Sequence, residues 1–144
     1  MKRLLQSSTL VLFLLSVSVT AQRALPNPIL VLDKLEYYQA TGKQYVRYHY
    51  SVFNSEAYPA DMFAASPDLP PCGKNTRSAR TWIDFYDERG ARLYGFCALG
   101  KSEDLRDVWF NAEAGTLPPS WVYVEMTDRK TNTKYKSNLA ETVP

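Results

Sequence analysis

Between residues 44 and 53 apolar and polar side chains alternate, with Val46, Tyr48, Tyr50 and Val52 set against Tyr45, Arg47, His49 and Ser51. A two-residue period sends successive side chains to opposite sides of an extended backbone. The segment is therefore read as a strand with one face for a core and one mixed, partly solvated face. The period returns at 80–87, where Thr81, Ile83 and Phe85 share one face and Trp82, Asp84 and Tyr86 the other. It returns again at 121–128, with Val122, Val124 and Met126 against Trp121, Tyr123 and Glu125. A chain carrying this pattern three times must bury the apolar faces against one another, and that points to sheets rather than helices.

Turn residues divide the remainder. Residues 29–38 are rich in Val, Leu, Ile and Tyr, and Ala40, Thr41, Gly42 and Lys43 turn the chain into the alternating strand, predicting a first antiparallel pair. Residues 58–63 are expected to give at most a short strand, placed at an edge because Pro59 has no ladder donor. Residues 64–79 hold Pro67, Pro70, Pro71, Gly73, Asn75 and Ser78 and form the least regular stretch, a long loop of the kind that is often functional. Asp87, Glu88, Arg89 and Gly90 make a hairpin turn with Gly90 free to take a positive φ, and residues 91–97 return. The one helical signal is at 102–109: Ser102 as cap, Glu103 and Asp104 at the positive end of the helix dipole, and Leu105, Val108 and Trp109 at helical spacing. It predicts about two turns that cover one end of the core with Trp109 and Phe110. Residues 129–132 turn the chain, residues 133–139 close a last hairpin with Tyr135 between Lys134 and Lys136, and the tail from Ala140 is expected to fray.

The expected fold class is all-β: a two-sheet antiparallel sandwich of about seven strands with one short helix or helical turn. A small closed barrel is the alternative with the same period. In architecture the chain resembles the immunoglobulin-like and fibronectin-type-III-like domains of exported proteins. The resemblance is carried by the strand at 45–53, by Trp82 in a central strand and by the closing hairpin at 121–139. It implies the two-sheet architecture of such exported domains and nothing about activity. Cys72 and Cys97 are not the long-range inter-sheet pair at immunoglobulin spacing, and in that the chain departs from the immunoglobulin pattern.

The compartment is read from the start of the chain. Lys2 and Arg3 precede an apolar run through Leu10 and Leu15, and Val19, Thr20 and Ala21 form a small-x-small site, the layout of a secretory signal peptide over residues 1–21. Residues 22–144 then form a single domain. The 17 basic and 15 acidic residues of the whole chain become equal in number once Lys2 and Arg3 are removed. The net charge thus gives no support for nucleic-acid binding, which shows as a basic face or stripe. A hydrophobic content of 45% excludes a disordered or collagen-like chain. No later apolar run approaches the roughly 20 residues that span a bilayer. The chain has no Asn-x-Ser/Thr sequon, and a Lys-Arg start suits bacterial export to the periplasm or beyond.

Chemistry-bearing motifs are sparse. The sole histidine, His49, has only Arg47 and Ser51 as companions on its own strand face, and one His with two cysteines makes a poor zinc site, so no metal or cofactor is expected. Asp84, Asp87 and Glu88 form one acidic group and Glu103, Asp104 and Asp107 another, and neither has the spacing of a calcium loop. No phosphate-binding loop, nucleophile elbow or zinc-protease motif occurs. The aromatic load says more. With ten tyrosines and three tryptophans a core cannot absorb them all, and Tyr37, Tyr45, Tyr58, Trp82, Tyr94 and Tyr123 are candidates for outward faces.

The reading is a module that binds a protein or glycan partner. Its candidate contacts are Lys74, Asn75, Arg77 and Arg80 of the irregular loop, which could hold an anionic group, with Tyr58, Trp82 and Tyr94. A small extracellular hydrolase built on two convergent acids or His49 is one alternative. Another is a protease inhibitor that inserts the loop at Pro70, Pro71, Cys72 and Gly73.

In an oxidising compartment the two cysteines imply one disulfide, Cys72 to Cys97. The competing role, a reactive thiol, needs a nearby base, and His49 lies in a different strand. Closing a loop of about 26 residues contributes roughly 3.5 kcal/mol in the chain-entropy account. Unreduced proteolysis of residues 22–144 is expected to release a peptide joined through Cys72 and Cys97, whereas two free thiols would exclude the bridge.

Overall fold

A computed structural model describes residues 24–71, 78–96 and 99–143. Residues 1–21, expected to be a signal peptide, the cysteines Cys72 and Cys97, and Lys74, Asn75 and Arg77 lie outside the described residues. The described chain forms eight strands: β1 (Leu30–Ala40), β2 (Lys43–Val52), β3 (Thr81–Asp87), β4 (Arg92–Phe96), β5 (Val108–Glu113), β6 (Trp121–Asp128), β7 (Thr133–Lys136) and β8 (Ala140–Glu141). They make two antiparallel sheets, one ordered β1-β2-β5 and the other β4-β3-β6-β7, with β8 also on β6. This is the all-β sandwich that the period predicts. Among the described residues no helix is long and apolar enough to cross a membrane.

The alternating faces meet in the middle. Val46, Tyr48, Tyr50 and Val52 of β2, Ile83 and Phe85 of β3, and Val122, Val124 and Met126 of β6 are all buried, which are the faces assigned from the pattern. At the centre Tyr50 lies 5.5 Å from Phe85 and 6.1 Å from Phe110, and Phe85 lies 5.6 Å from Phe110, ring centre to ring centre. Rings at these separations add to the energy of area burial. The contact ties β2 and β5 of one sheet to β3 of the other.

The turns form where the sequence allows a left-handed backbone. Thr41 (φ 51°) and Gly42 (φ 79°) close the β1–β2 hairpin, and Gly90 (φ 84°) closes β3–β4. β1 carries a bulge: Leu32 pairs with Tyr50 and Lys34 with His49, so Asp33 is the additional residue. A one-residue insertion reverses which side chains face which way. Beyond it Glu36 is directly opposite Arg47 and Tyr38 opposite Tyr45, on the outward side.

Four expectations are corrected. Residues 58–63 are not a strand: Ser55–Ala57 and Ala60–Phe63 are single 3-10 turns, the second entered from Pro59 at φ −69°, whose carbonyl accepts the Met62 N–H. Their folding inward buries Tyr58, Met62 and Phe63, so Tyr58 is not an outward residue; its hydroxyl donates to the Pro26 carbonyl. The helical signal yields only a 3-10 turn, Ser102–Arg106, capped by the Asp104 carboxylate, which accepts the N–H groups of Gly100 and Lys101. Trp109 and Phe110 belong to strand β5, pairing with His49 and Tyr48, and Val108 and Phe110 face the core. Finally, the tail is not frayed. Ala140 pairs with Val122, Thr142 is buried, and the Thr142 hydroxyl donates to the Pro119 carbonyl.

Between β7 and β8 the side-chain amide of Asn138 reaches the other sheet. It accepts the Leu30 N–H at 2.8 Å and donates to the Leu30 carbonyl at 3.0 Å. The side chain thus replaces a neighbouring strand at the start of β1 and covers part of an exposed edge.

Truncating Phe85 to Ala is expected to cost roughly 3–5 kcal/mol in chemical denaturation, because the cavity lies where both sheets meet. Ending the chain at Leu139 should also lower the denaturation midpoint, since it removes the buried Ala140 and Thr142; an unchanged midpoint would return the tail to the frayed class.

Candidate binding surface

The two outer faces differ in chemistry. On the first sheet the bulge sets Glu36 beside Arg47 and His49, and a closely satisfied network results. His49 is 6% exposed, with Nδ1 2.7 Å from Asp107 Oδ1 and Nε2 3.0 Å from Glu36 Oε2. Ionised carboxylates only accept, so both contacts are hydrogen bonds when both ring nitrogens carry protons. The bond from His49, and then the charge of Arg47, holds the Glu36 carboxyl below its ordinary value. Arg47 donates to Glu36 and Asn111 while its guanidinium lies between two rings, 4.8 Å from Tyr38 and 4.4 Å from Trp109. Trp109 is stacked in turn on Tyr94 at 4.9 Å and meets Phe96 edge-on at 5.2 Å. Cations over rings in this way contribute about 0.5–2 kcal/mol each. Both His49 nitrogens are occupied by carboxylates, so the ring has no free position for a nucleophile or a substrate. Two acids do converge on His49, as a hydrolase would require, but they hold it.

The second sheet is more open. Its outward residues are Trp82, Asp84 and Tyr86 on β3 and Tyr123, Glu125 and Thr127 on β6, paired row by row. Trp82 Nε1 donates to Asp84 Oδ1 at 3.0 Å, and Arg129 lies over the Trp82 ring at 5.8 Å. Tyr86 and Tyr123 stack at 5.3 Å, and the Lys136 ammonium sits 3.9 Å from the centre of the Tyr123 ring. Burial and the nearby carboxylates of Asp84 and Glu125 push the Tyr86 hydroxyl up. Arg92 crosses Gly95 to donate to Asp84, and Lys134 reaches Glu125 at 2.6 Å. A Cβ at Gly95 would lie 2.2 Å from Arg92 Nη2 and 2.4 Å from Asp84 Oδ1, so the missing side chain is what lets the guanidinium lie flat across the sheet. The rings on this face are half-buried and fixed by their neighbours.

At the end of the sandwich, on the inward side of β6 and β7, lies a cleft of about 570 Å3 lined by Leu25, Met62, Arg80, Asp128, Thr133 and Tyr135, among others. Arg80, expected to help hold an anion, is already committed. Its Nε and Nη2 donate to the two oxygens of Asp128 at 2.8 and 2.7 Å, and Nη1 donates to Asp61 at 2.8 Å. Asp128 is buried and also accepts from the Lys130 N–H and the Thr131 hydroxyl. The Arg80 hydrogen bonds in particular hold its carboxyl down at about 2.

The expected contact residues therefore separate. Trp82 is on the outward side of β3, whereas Tyr94, directly opposite the buried Phe85, faces the other side and stacks on Trp109. Tyr58 is in the core. The acidic groups also disperse into local tasks: Asp87 accepts the N–H groups of Arg89 and Ala91 in the turn, Asp104 caps, and Asp107 holds His49. Among the described residues no group of three His, Cys, Asp or Glu side chains is placed to hold a metal ion. The sequence reading passed over Tyr86, Lys134 and Lys136 as contacts; their parity with Trp82 and Tyr123 was the signal available. No family model, curated protein or solved structure matches the chain.

The lowered Asp128 carboxyl fixes a sign for acid stability. A carboxyl at about 2 in the folded chain, against an ordinary 3.8, contributes stability that is complete above about pH 4 and is lost as the pH falls towards 2. The shift corresponds to roughly 2 kcal/mol. Asp128→Asn is expected to remove about that amount at pH 7 and to flatten the loss between pH 4 and 2; denaturation midpoints measured across that range decide it.

Proposed function

We propose that this chain is an exported, non-catalytic β-sandwich module, immunoglobulin-like or fibronectin-type-III-like in build, that binds a protein partner in the cell envelope or outside the cell. The observation that carries the reading is the outer face of the second sheet, where Trp82, Tyr86 and Tyr123 are half-buried, held by stacking, a hydrogen bond or a cation over the ring, and turned away from the core. Rings held in one position lose little entropy on contact, and Tyr, Trp and Arg dominate the energetics of protein interfaces. The order β1-β2-β5 against β4-β3-β6-β7 supports the immunoglobulin-like class, because the chain passes between sheets after β2, β4 and β5 rather than running through each in turn. The irregular loop adjoins the same face: Arg129, over Trp82, donates to the carbonyls of Pro70 and Ala79 on either side of it. Lys74, Asn75 and Arg77 of that loop lie outside the described residues and enter this proposal only as contacts expected from the sequence.

The test uses residues 22–144 as bait against exported fractions of the native host. A specific partner captured by the wild-type chain should bind Trp82→Ala/Tyr123→Ala about thirtyfold more weakly, a loss of roughly 2 kcal/mol. Tyr37→Ala, at a 75% exposed ring of the first sheet, should bind as wild type. Equal capture by the double variant, with its circular dichroism unchanged, would remove the face from the account.

A further inference from the structure

On the second sheet's outer face the ion pairs are not level with one another. In the pair Arg92–Asp84 the cation is 53% exposed and the acid 15%; in Lys134–Glu125 the cation is 57% exposed and the acid 21%. Each carboxylate is sunk between strands and each cation lies above it. Lys136 adds a third cation on the ring of Tyr123, and among the described residues it has no carboxylate partner. Arg92 lies on the β4 side and Lys134 and Lys136 on the β7 side, so the cations flank the central rows of Trp82, Tyr86 and Tyr123. An approaching molecule meets positive charge at both margins and the half-buried rings of Trp82, Tyr86 and Tyr123 between them. The stacked pair Tyr86–Tyr123 uses its ring faces internally, with Lys136 over the Tyr123 ring. Neither ring of that pair offers an open flat face of the kind on which a sugar stacks.

Resting on the binding-face reading above, we infer that the partner presents an acidic polypeptide segment, its carboxylates meeting Arg92, Lys134 and Lys136 and its apolar side chains lying against Trp82 and the edge of Tyr123. Carboxylate acceptors match cations that stand above their own neutralising acids, because the partner's charges reach them without displacing Asp84 or Glu125. Long-range attraction of this kind acts mainly on encounter, and salt weakens it.

The probe is a fluorescent peptide of alternating Glu and Leu, titrated with residues 22–144 at low and high salt, beside the same peptide with Lys for Glu and beside heparin. The Glu peptide is expected to bind and the Lys peptide not. Affinity should fall roughly tenfold in Lys134→Glu/Lys136→Glu and a few-fold in Lys136→Gln, which leaves the Lys134–Glu125 pair intact, and it should weaken as salt rises. Failure of the folded wild-type chain to bind the Glu peptide, or undiminished binding by the double reversal, would overturn the inference. Heparin binding through the same lysines without peptide binding would also overturn it, in favour of a polyanionic glycan. Loss of native-partner capture by Trp82→Ala/Tyr123→Ala with no affinity for the peptide would leave the face as a binding surface and overturn only the acidic partner.

Discussion

The aromatic contact among Tyr50, Phe85 and Phe110 sets the rest of the molecule. It joins the two sheets across the core, and it fixes which side of β2, β3 and β5 faces inward. Strand parity then leaves no freedom on the other side. Phe85 inward makes Asp84 and Tyr86 outward, Tyr50 inward makes His49 outward, and Phe110 inward makes Trp109 outward. A side-chain period of two means that the core dictates the surface residue by residue. The outer faces are in this sense a consequence of the core.

The two outer faces use the same chemical materials for different ends. On the first sheet the bulge at Asp33 brings Glu36 into the row of Arg47, and charge is absorbed into a closed network around His49 and Trp109. On the second sheet the acids are recessed and the cations stand above them, which leaves charge facing outward. The buried pair of Arg80 and Asp128 lies apart from both, at the start of β3 and the end of β6, where it fastens the 3-10 turn at Asp61 and the β6–β7 turn at Thr131. Breaking such a pair leaves a buried charge uncompensated, so its position at the end of the sandwich makes it a structural element rather than a free site.

Strand parity was legible because it is local. Val46 to Val52, Thr81 to Phe85 and Val122 to Met126 announce their inward faces within a few residues, and all are buried. β5 was read as helix because Leu105, Val108 and Trp109 have helical spacing, while the pairing that makes Val108 to Glu113 a strand comes from β2, some 60 residues earlier. The bulge at Asp33 has no signature in composition, so the approach of Glu36 and Asp107 to His49, across 13 and 58 positions, could not be read from the chain. Tyr58 was placed outward because aromatic count alone does not show that two 3-10 turns fold inward around Pro59. Trp82 and Tyr123 were identified correctly as outward, and Tyr86 follows from the same alternation. What the sequence did not reveal was that Tyr94 lies on the opposite side from Trp82, since that depends on the register of β4.

In the proposed function, the outer face of the second sheet is the surface that meets the partner. Hydroxyl-radical footprinting of residues 22–144, alone and saturated with the captured partner, reads that face directly because its rings are reactive and half-exposed. The predicted result is protection of Trp82, Tyr86 and Tyr123, with Tyr37, Tyr38 and Trp109 of the first sheet unchanged. Protection of those first-sheet rings, with Trp82 and Tyr123 modified as in the free chain, would contradict it.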